Sequence, residues 1–292
     1  MNDQANRLRE LTSGMVNKPF ENKDQKYTKI YSIVSGKGGV GKTNFSINLA
    51  IKLQQKGQKV LILDADIGMI NANILLGIGA QADLSEVING SATFRDIIIQ
   101  GPQGINLING GTDLFLIESL HKTEQEEIIK TLEAMGEYDI ILIDNGAGIN
   151  KHTLTFSSFA DDIILVTTPE PTALTDAYRI LKANSLYNVK KSASVVINQI
   201  VDINQGEESF TKLRNTCEKF LNIKLESLGF IFNDIRVNKS IMEQVPLVIN
   251  YPKALASENI EDIANKILGL DIIKENTTSF KRLSNRLIKF FG

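Results

Sequence analysis

Short apolar runs recur along this chain, separated by longer stretches whose apolar positions follow helical spacing. Residues 30–34, 60–63, 105–108, 140–143, 163–166, 195–197 and 228–232 read as strands, rich in Ile, Val and Leu. Several are apolar at nearly every position. That pattern suits strands covered on both faces of a parallel sheet, not the alternation of a half-exposed one. Helices fill the gaps: one runs from a glycine-rich loop after Val34 to about Lys56, and 210–221 lies within another. Strand–helix alternation predicts an α/β fold, a doubly wound and mostly parallel sheet flanked by helices. Ligands in such sheets bind at the carboxyl ends of the strands.

The pattern changes at both ends. Residues 1–16 form a short polar segment and 17–28 a polar linker, so the folded domain is expected at 29–270. A polar spacer, 271–279, precedes a segment of different character at 280–292. There Phe280, Leu283, Leu287 and Phe291 fall on one helical stripe, which Ile288 widens, and Lys281, Arg282, Arg286 and Lys289 supply cations. A basic amphipathic helix after a spacer reads as an anchor to a membrane surface.

Composition narrows the classes. Hydrophobic residues make up 42% of the chain, enough for a real core. A net charge of -2 argues against a protein that coats nucleic acid, so nucleic acid is not an expected partner. One cysteine, Cys217, excludes an internal disulfide and any cysteine-rich metal or cluster site made by this chain alone. It reads as a packed thiol. The polar N-terminus lacks an apolar signal region and no run has the length of a membrane span, so a cytoplasmic location is expected.

The first strand is followed by Gly36-Lys37-Gly38-Gly39-Val40-Gly41-Lys42-Thr43, which fits G-x-x-x-x-G-K-[ST] in the strand–loop–helix setting of a phosphate-binding loop. Glycines let backbone N–H groups turn inward around phosphates. Lys42 can reach the β- and γ-phosphates, Thr43 can bind Mg²⁺, and the helix N-terminus favours an anion. Asp64 and Asp66 follow one strand and Asp144 another. A single aspartate so placed is usually a cap or turn residue. Beside a phosphate loop, an apolar strand ending in Asp is the arrangement that holds Mg²⁺ through water.

The segments S-G-K-G-G-V-G-K-T, D-A-D-I-G-x-x-N-A-N and I-D-N-G-A-G resemble the MinD/ParA branch of P-loop ATPases, and the likeness runs from about residue 29 to 268. The resemblance implies ATP and ADP as ligands, Mg²⁺ as cofactor, and a homodimer that sandwiches ATP. It implies that Lys37, the second "deviant" lysine, reaches the partner's nucleotide, with Glu170 and Asp176 as acidic contacts across the interface. By the same likeness Asp64 lies near Mg²⁺, Asp66 orients the attacking water, and Asn71 sits in a switch segment. Asn198 occupies the adenine-reading position and Asp234 a second segment over the base. The family commonly carries proline where this chain has Phe232, which weakens that second half of the base site.

Residues 1–16 contain Asp3, Gln4, Ala5, Leu8 and Arg9 in the order D-Q-A-x-x-L-R. This is similar to the start of the flagellar MinD-like ATPases, the FlhG group (also FleN or YlxH), where it activates the GTPase FlhF. The resemblance implies control of flagellar number and placement, reversible attachment to the cytoplasmic membrane, slow ATP hydrolysis, and flagellar switch (C-ring) proteins as further partners. A division-site MinD and a DNA-partition ParA share the same core; the first has a different partner, the second needs a basic dimer surface and leaves the tail unexplained.

Overall fold

The protein is described from a computed structural model, which covers residues 27–66, 71–77, 82–110, 121, 128–131 and 136–270. The partner-activating segment 1–16, most of the linker, the spacer and the 280–292 helix expected above lie outside the described residues.

Eight strands form one sheet in the order β3-β4-β2-β5-β1-β6-β7-β8. They are β1 (Lys29–Val34), β2 (Val60–Ala65), β3 (Ile99–Gln100), β4 (Asn106–Asn109), β5 (Ile140–Asn145), β6 (Asp162–Thr167), β7 (Ser192–Ile200) and β8 (Lys224–Phe232). All neighbours pair in parallel except the short edge strand β3, which runs antiparallel to β4. The expected doubly wound sheet is present, and the expected strands all lie in it. Three details differ. β3 was not anticipated, because two residues carry no periodicity. β7 and β8 extend well beyond their apolar cores, since an edge pair can hold polar residues such as Ser192 and Lys224. Their register slips at Val195/Val196, where Gly229 adopts φ 157.

Helices cover both faces. α1 (Lys42–Gln55), α2 (Asn71–Leu76), α8 (Leu247–Asn250) and α9 (Leu255–Ile267) pack on one side, where Ile33, Ile62, Leu142 and Val196 meet Phe45, Leu49, Leu53 and Ile260. On the other side α3 (Leu84–Ile88) and α4 (Lys151–Phe159) lie over the β2–β5 region, and α5 (Pro171–Leu186) and α6 (Ile203–Leu221) over β6–β8. α7 (Ile235–Met242) follows β8. The central strands β2 and β5 are buried at every residue. That explains why their sequences read as unbroken apolar runs. Asp202 caps α6 through Gln205 N and Asn150 caps α4 through Thr153 N, satisfying first-turn donors that have no partner within the helix.

The linker ends in contact with the domain. The Tyr27 hydroxyl bonds the Asp161 carboxylate and Thr28 Oγ1 donates to the Tyr138 carbonyl at 2.8 Å. Because every strand from β4 onward, with β1 and β2, is parallel, their carboxyl ends share one rim. Their amino ends, and the entry at Tyr27, share the opposite one.

Candidate functional site

The glycine loop joins β1 to α1 at the carboxyl rim. Gly39 (φ 80) and Gly41 (φ 87) hold the left-handed conformations that let the loop curl back over the helix start. Gly36 serves a different purpose: a Cβ there would collide with the backbone of Asp176 and Ala177, so only glycine lets the loop lie against α5. Gly38 meets no neighbour, and Val40 is buried as the loop's apolar anchor. Gly41 precedes α1 without any side-chain cap, leaving the first-turn N–H groups of Lys42, Thr43 and their neighbours available to an anion.

Beneath the loop, the strand ends bring the carboxylates together. Asp64 in β2 and Asp144 in β5 are register partners, both buried. Lys42 Nζ donates to Asp144 Oδ1 at 2.9 Å and stands 3.5 Å from Thr43 Oγ1. Ser46, one turn further along α1, donates to the same Asp144 oxygen at 2.8 Å. Asp144 Oδ2 is buried and accepts from no described residue. Asp64 accepts from the amides of Asp66 (3.1 Å) and Ala72 (3.3 Å), so the carboxylate ties β2 to the first turn of α2, which Asn71 opens. Burial pushes the Asp64 carboxyl up to about 7, and the Asp144 charge adds to it. Asp66 lies just after β2, and its carboxylate is close to Gly146, which follows β5.

These residues fit Mg²⁺ with a polyphosphate. Among the described residues no group of three or more His, Cys, Asp and Glu is arranged to hold a metal alone. Mg²⁺ does not need one, since it takes one or two carboxylates and fills its remaining positions with phosphate and water. Thr43, Asp64 and the unpartnered Asp144 Oδ2 are oxygen donors of that kind.

Lys37 sits at the surface of the loop. Its Nζ pairs with Glu170 Oε2 at 2.7 Å and approaches Thr172 Oγ1 at 3.3 Å, both at the start of α5 in the same chain. Asp176, the other acidic residue expected at the partner interface, pairs within its own chain with Arg179, at 2.8 Å, one turn along the same helix. Asp176 meets the loop through its backbone, against Gly36.

Beside the loop opens a cavity of about 360 Å³, walled by Gly39, Gly41, Phe45, Asn198, Ile231 and Asp234 with apolar residues from α7 to α9, among them Val237, Leu247 and Ile260. An apolar slot edged by amides suits a heteroaromatic base. Both residues expected there are present, and their side chains are partly committed. Asn198 donates to the Val40 carbonyl at 2.8 Å, bracing the loop. The Asp234 side chain, only 6% exposed, is clamped by Arg236 through two bonds of 2.8 and 2.7 Å and caps α7. Burial alone raises its pKa, but the Arg236 bonds outweigh that and hold it below the usual carboxylate range. Asp234 therefore forms part of the cavity wall, held in place by Arg236. Sequence reading missed Ser46, Thr172 and Arg236. Ser46 could have been found at i+4 from Lys42. The cavity's apolar walls could not, because Phe45, Ile231 and Ile260 meet only through the fold.

A curled glycine loop between a buried strand and a helix, with aspartates at neighbouring parallel strand ends, defines a nucleotide-binding P-loop protein. The chain matches the ParA family, described as NUBPL iron-transfer P-loop NTPase, over residues 26–268. It is 32% identical to the flagellum site-determining protein YlxH of Helicobacter pylori, over all of both chains. It is 30% identical to the antiactivator FleN of Pseudomonas aeruginosa, over 82% of this chain and 86% of that one. Among solved structures, the MinD of Pyrococcus horikoshii complexed with Mg-ADP is 27% identical with a TM-score of 0.69, covering 86% of this chain and 100% of that one. The cell division ATPase MinD of Pyrococcus furiosus is 26% identical with a TM-score of 0.70, covering 83% and 99%. The chain belongs to the ParA/MinD family of P-loop ATPases, in the branch that holds the flagellar proteins YlxH and FleN. It is a MinD-type ATPase.

Proposed function

We propose that this ATPase is a switch for flagellar number and placement that dimerises on ATP, attaches to the cytoplasmic membrane as a dimer, and stimulates an FlhF-type GTPase. The observation that carries the switch is Lys37, a cation held at the loop's outer edge by Glu170 and Thr172, while Lys42 takes the inward place beside Asp144. Ile149, Val201 and Ile235 are exposed just beyond β5, β7 and β8 on the same rim, an apolar border suited to a second copy. Two bound triphosphates facing each other would repel. A lysine entering from each partner offsets that charge and ties dimerisation to the γ-phosphate.

Within one site, Lys42 exchanges Asp144 for the β- and γ-phosphates, and Gly36 to Thr43 wrap the phosphates with backbone amides. Thr43, Asp64 and Asp144 hold Mg²⁺, which when bound neutralises phosphate charge. Asp66 orients the attacking water. Asn71 lies in the switch segment, and Asn198 with the cavity walls receives adenine. Hydrolysis is slow and Mg²⁺-dependent, and loss of the γ-phosphate lets the dimer part.

The flagellar role rests on the likeness to YlxH, which extends over the whole chain and so includes residues 1–16. The membrane role rests on the basic amphipathic pattern of 280–292. A division-site MinD is the second reading, favoured by the two MinD structures and by MinD homologues at up to 30% identity. One experiment separates them. A synthetic peptide of residues 1–16 should raise GTP hydrolysis by an FlhF-type GTPase, and Asp3→Ala with Gln4→Ala should abolish the effect. No stimulation by the native peptide removes the flagellar partner and leaves the division-site reading.

A further inference from the structure

The rim opposite the nucleotide site carries a second surface feature. α5 and α6 both run back across the sheet and end there, and Ser185 Oγ donates to the Leu221 carbonyl at 3.1 Å, joining the two helix ends. Beside that bond three large apolar side chains stand in solvent: Leu186 and Tyr187 at 70% exposure each, and Phe220 at 64%. Cations surround them. Lys182 precedes Leu186 by one turn, Lys190 and Lys191 follow Tyr187, and Lys219 Nζ lies 5.1 Å over the Phe220 ring. None of these four lysines forms an ion pair with a described residue, whereas Lys224 close by is neutralised by Glu226. Residues 182–191 include no acidic residue.

The fold also places this patch on the side where the chain leaves the domain. α9 starts at the base cavity, with Ala256 and Ile260 in its wall, and ends where Lys266 reaches the Ser227 carbonyl near the start of β8. α6 and α9 lie on opposite faces of β8 and finish at the same rim, so Phe220 and the outgoing residue Leu270 flank the β8 start.

We propose that Leu186, Tyr187 and Phe220, with Lys182, Lys190, Lys191 and Lys219, form a second contact with an anionic lipid surface, built into the ATPase domain itself. Aromatic and aliphatic tips among unpaired lysines match the two forces that hold a peripheral protein on lipid: shallow apolar insertion and attraction to anionic headgroups. The occupant is lipid because the patch lies at the rim from which residues 271–292 depart. Two weak attachments on one molecule reinforce each other through effective concentration. The inference rests on the membrane reading of the tail, and the test keeps the two apart.

The chain contains no tryptophan, so Tyr187→Trp supplies one reporter. With ATP and phosphatidylglycerol-containing vesicles, its emission should shift to the blue, and pure phosphatidylcholine vesicles should leave it unchanged. Lys190→Glu with Lys191→Glu should lower co-sedimentation with the anionic vesicles about tenfold or more, with ATP hydrolysis in solution unchanged. Leu287→Asp tests the tail separately. If wild type and both variants fail to sediment, the membrane reading itself is lost and this inference with it. If Leu287→Asp weakens binding while Lys190→Glu with Lys191→Glu sediments like wild type, or the emission of the Tyr187→Trp protein stays fixed, only the second contact is overturned.

Discussion

Lys42 and Asp144 show how a buried charge is kept at low cost until a ligand arrives. Lys42 and Ser46 both donate to Asp144 Oδ1, and its second oxygen accepts from no described residue. Removing one partner of a buried pair strands the other, so Lys42→Ala should lose both ATP affinity and about 3 kcal/mol of stability in urea unfolding. Ser46→Ala should cost about 1 kcal/mol and leave nucleotide binding measurable by calorimetry. Asp64 gives a pH dependence. Its folded pKa of about 7 lies above the ordinary 3.8, so the folded state binds the extra proton between those values. Stability is therefore greatest below the lower value and falls as pH rises through the upper one. In metal- and nucleotide-free protein, Asp64→Asn should flatten that decline, and an unchanged slope would remove Asp64 as its source. Most of these residues were legible, because a phosphate loop constrains residue type and spacing together. The Asp176–Arg179 pair was not, since a carboxylate's partner within its chain depends on rotamer and helix phase.

At the level of elements, the strands that could be read were those buried on both faces, such as β2 and β5. β3 could not be read, and the base cavity needed α7, α8 and α9 to close over β8. No local pattern reports such a closure. The seam between the glycine loop and α5 is the tightest junction of the site. Gly36→Ala would push a methyl group into the α5 backbone, and we expect roughly 1–3 kcal/mol of destabilisation with loss of ATP binding, read by thermal unfolding with and without nucleotide. α6 supplies a simpler check. Cys217 is packed in its buried face, and burial pushes the thiol up to about 12. It should resist alkylation in the folded protein and react promptly in denaturant. Fast labelling under native conditions would mean that α6 opens.

At the scale of the whole molecule, the parallel sheet separates two tasks. Its carboxyl rim carries the nucleotide loop, Lys37 and the exposed side chains of Ile149, Val201 and Ile235. Its amino rim carries the chain entry at Tyr27, the exit near Leu270 and the Leu186–Tyr187–Phe220 patch. In the proposed switch, Lys37 acts on the nucleotide of its partner. Sedimentation velocity of the full-length Asp66→Ala protein with Mg-ATP, with and without an added Lys37→Ala, tests it most directly. Asp66→Ala should be a dimer with ATP and a monomer with ADP, and adding Lys37→Ala should give a monomer that still binds ATP. An ATP-bound dimer that persists without Lys37 would contradict it.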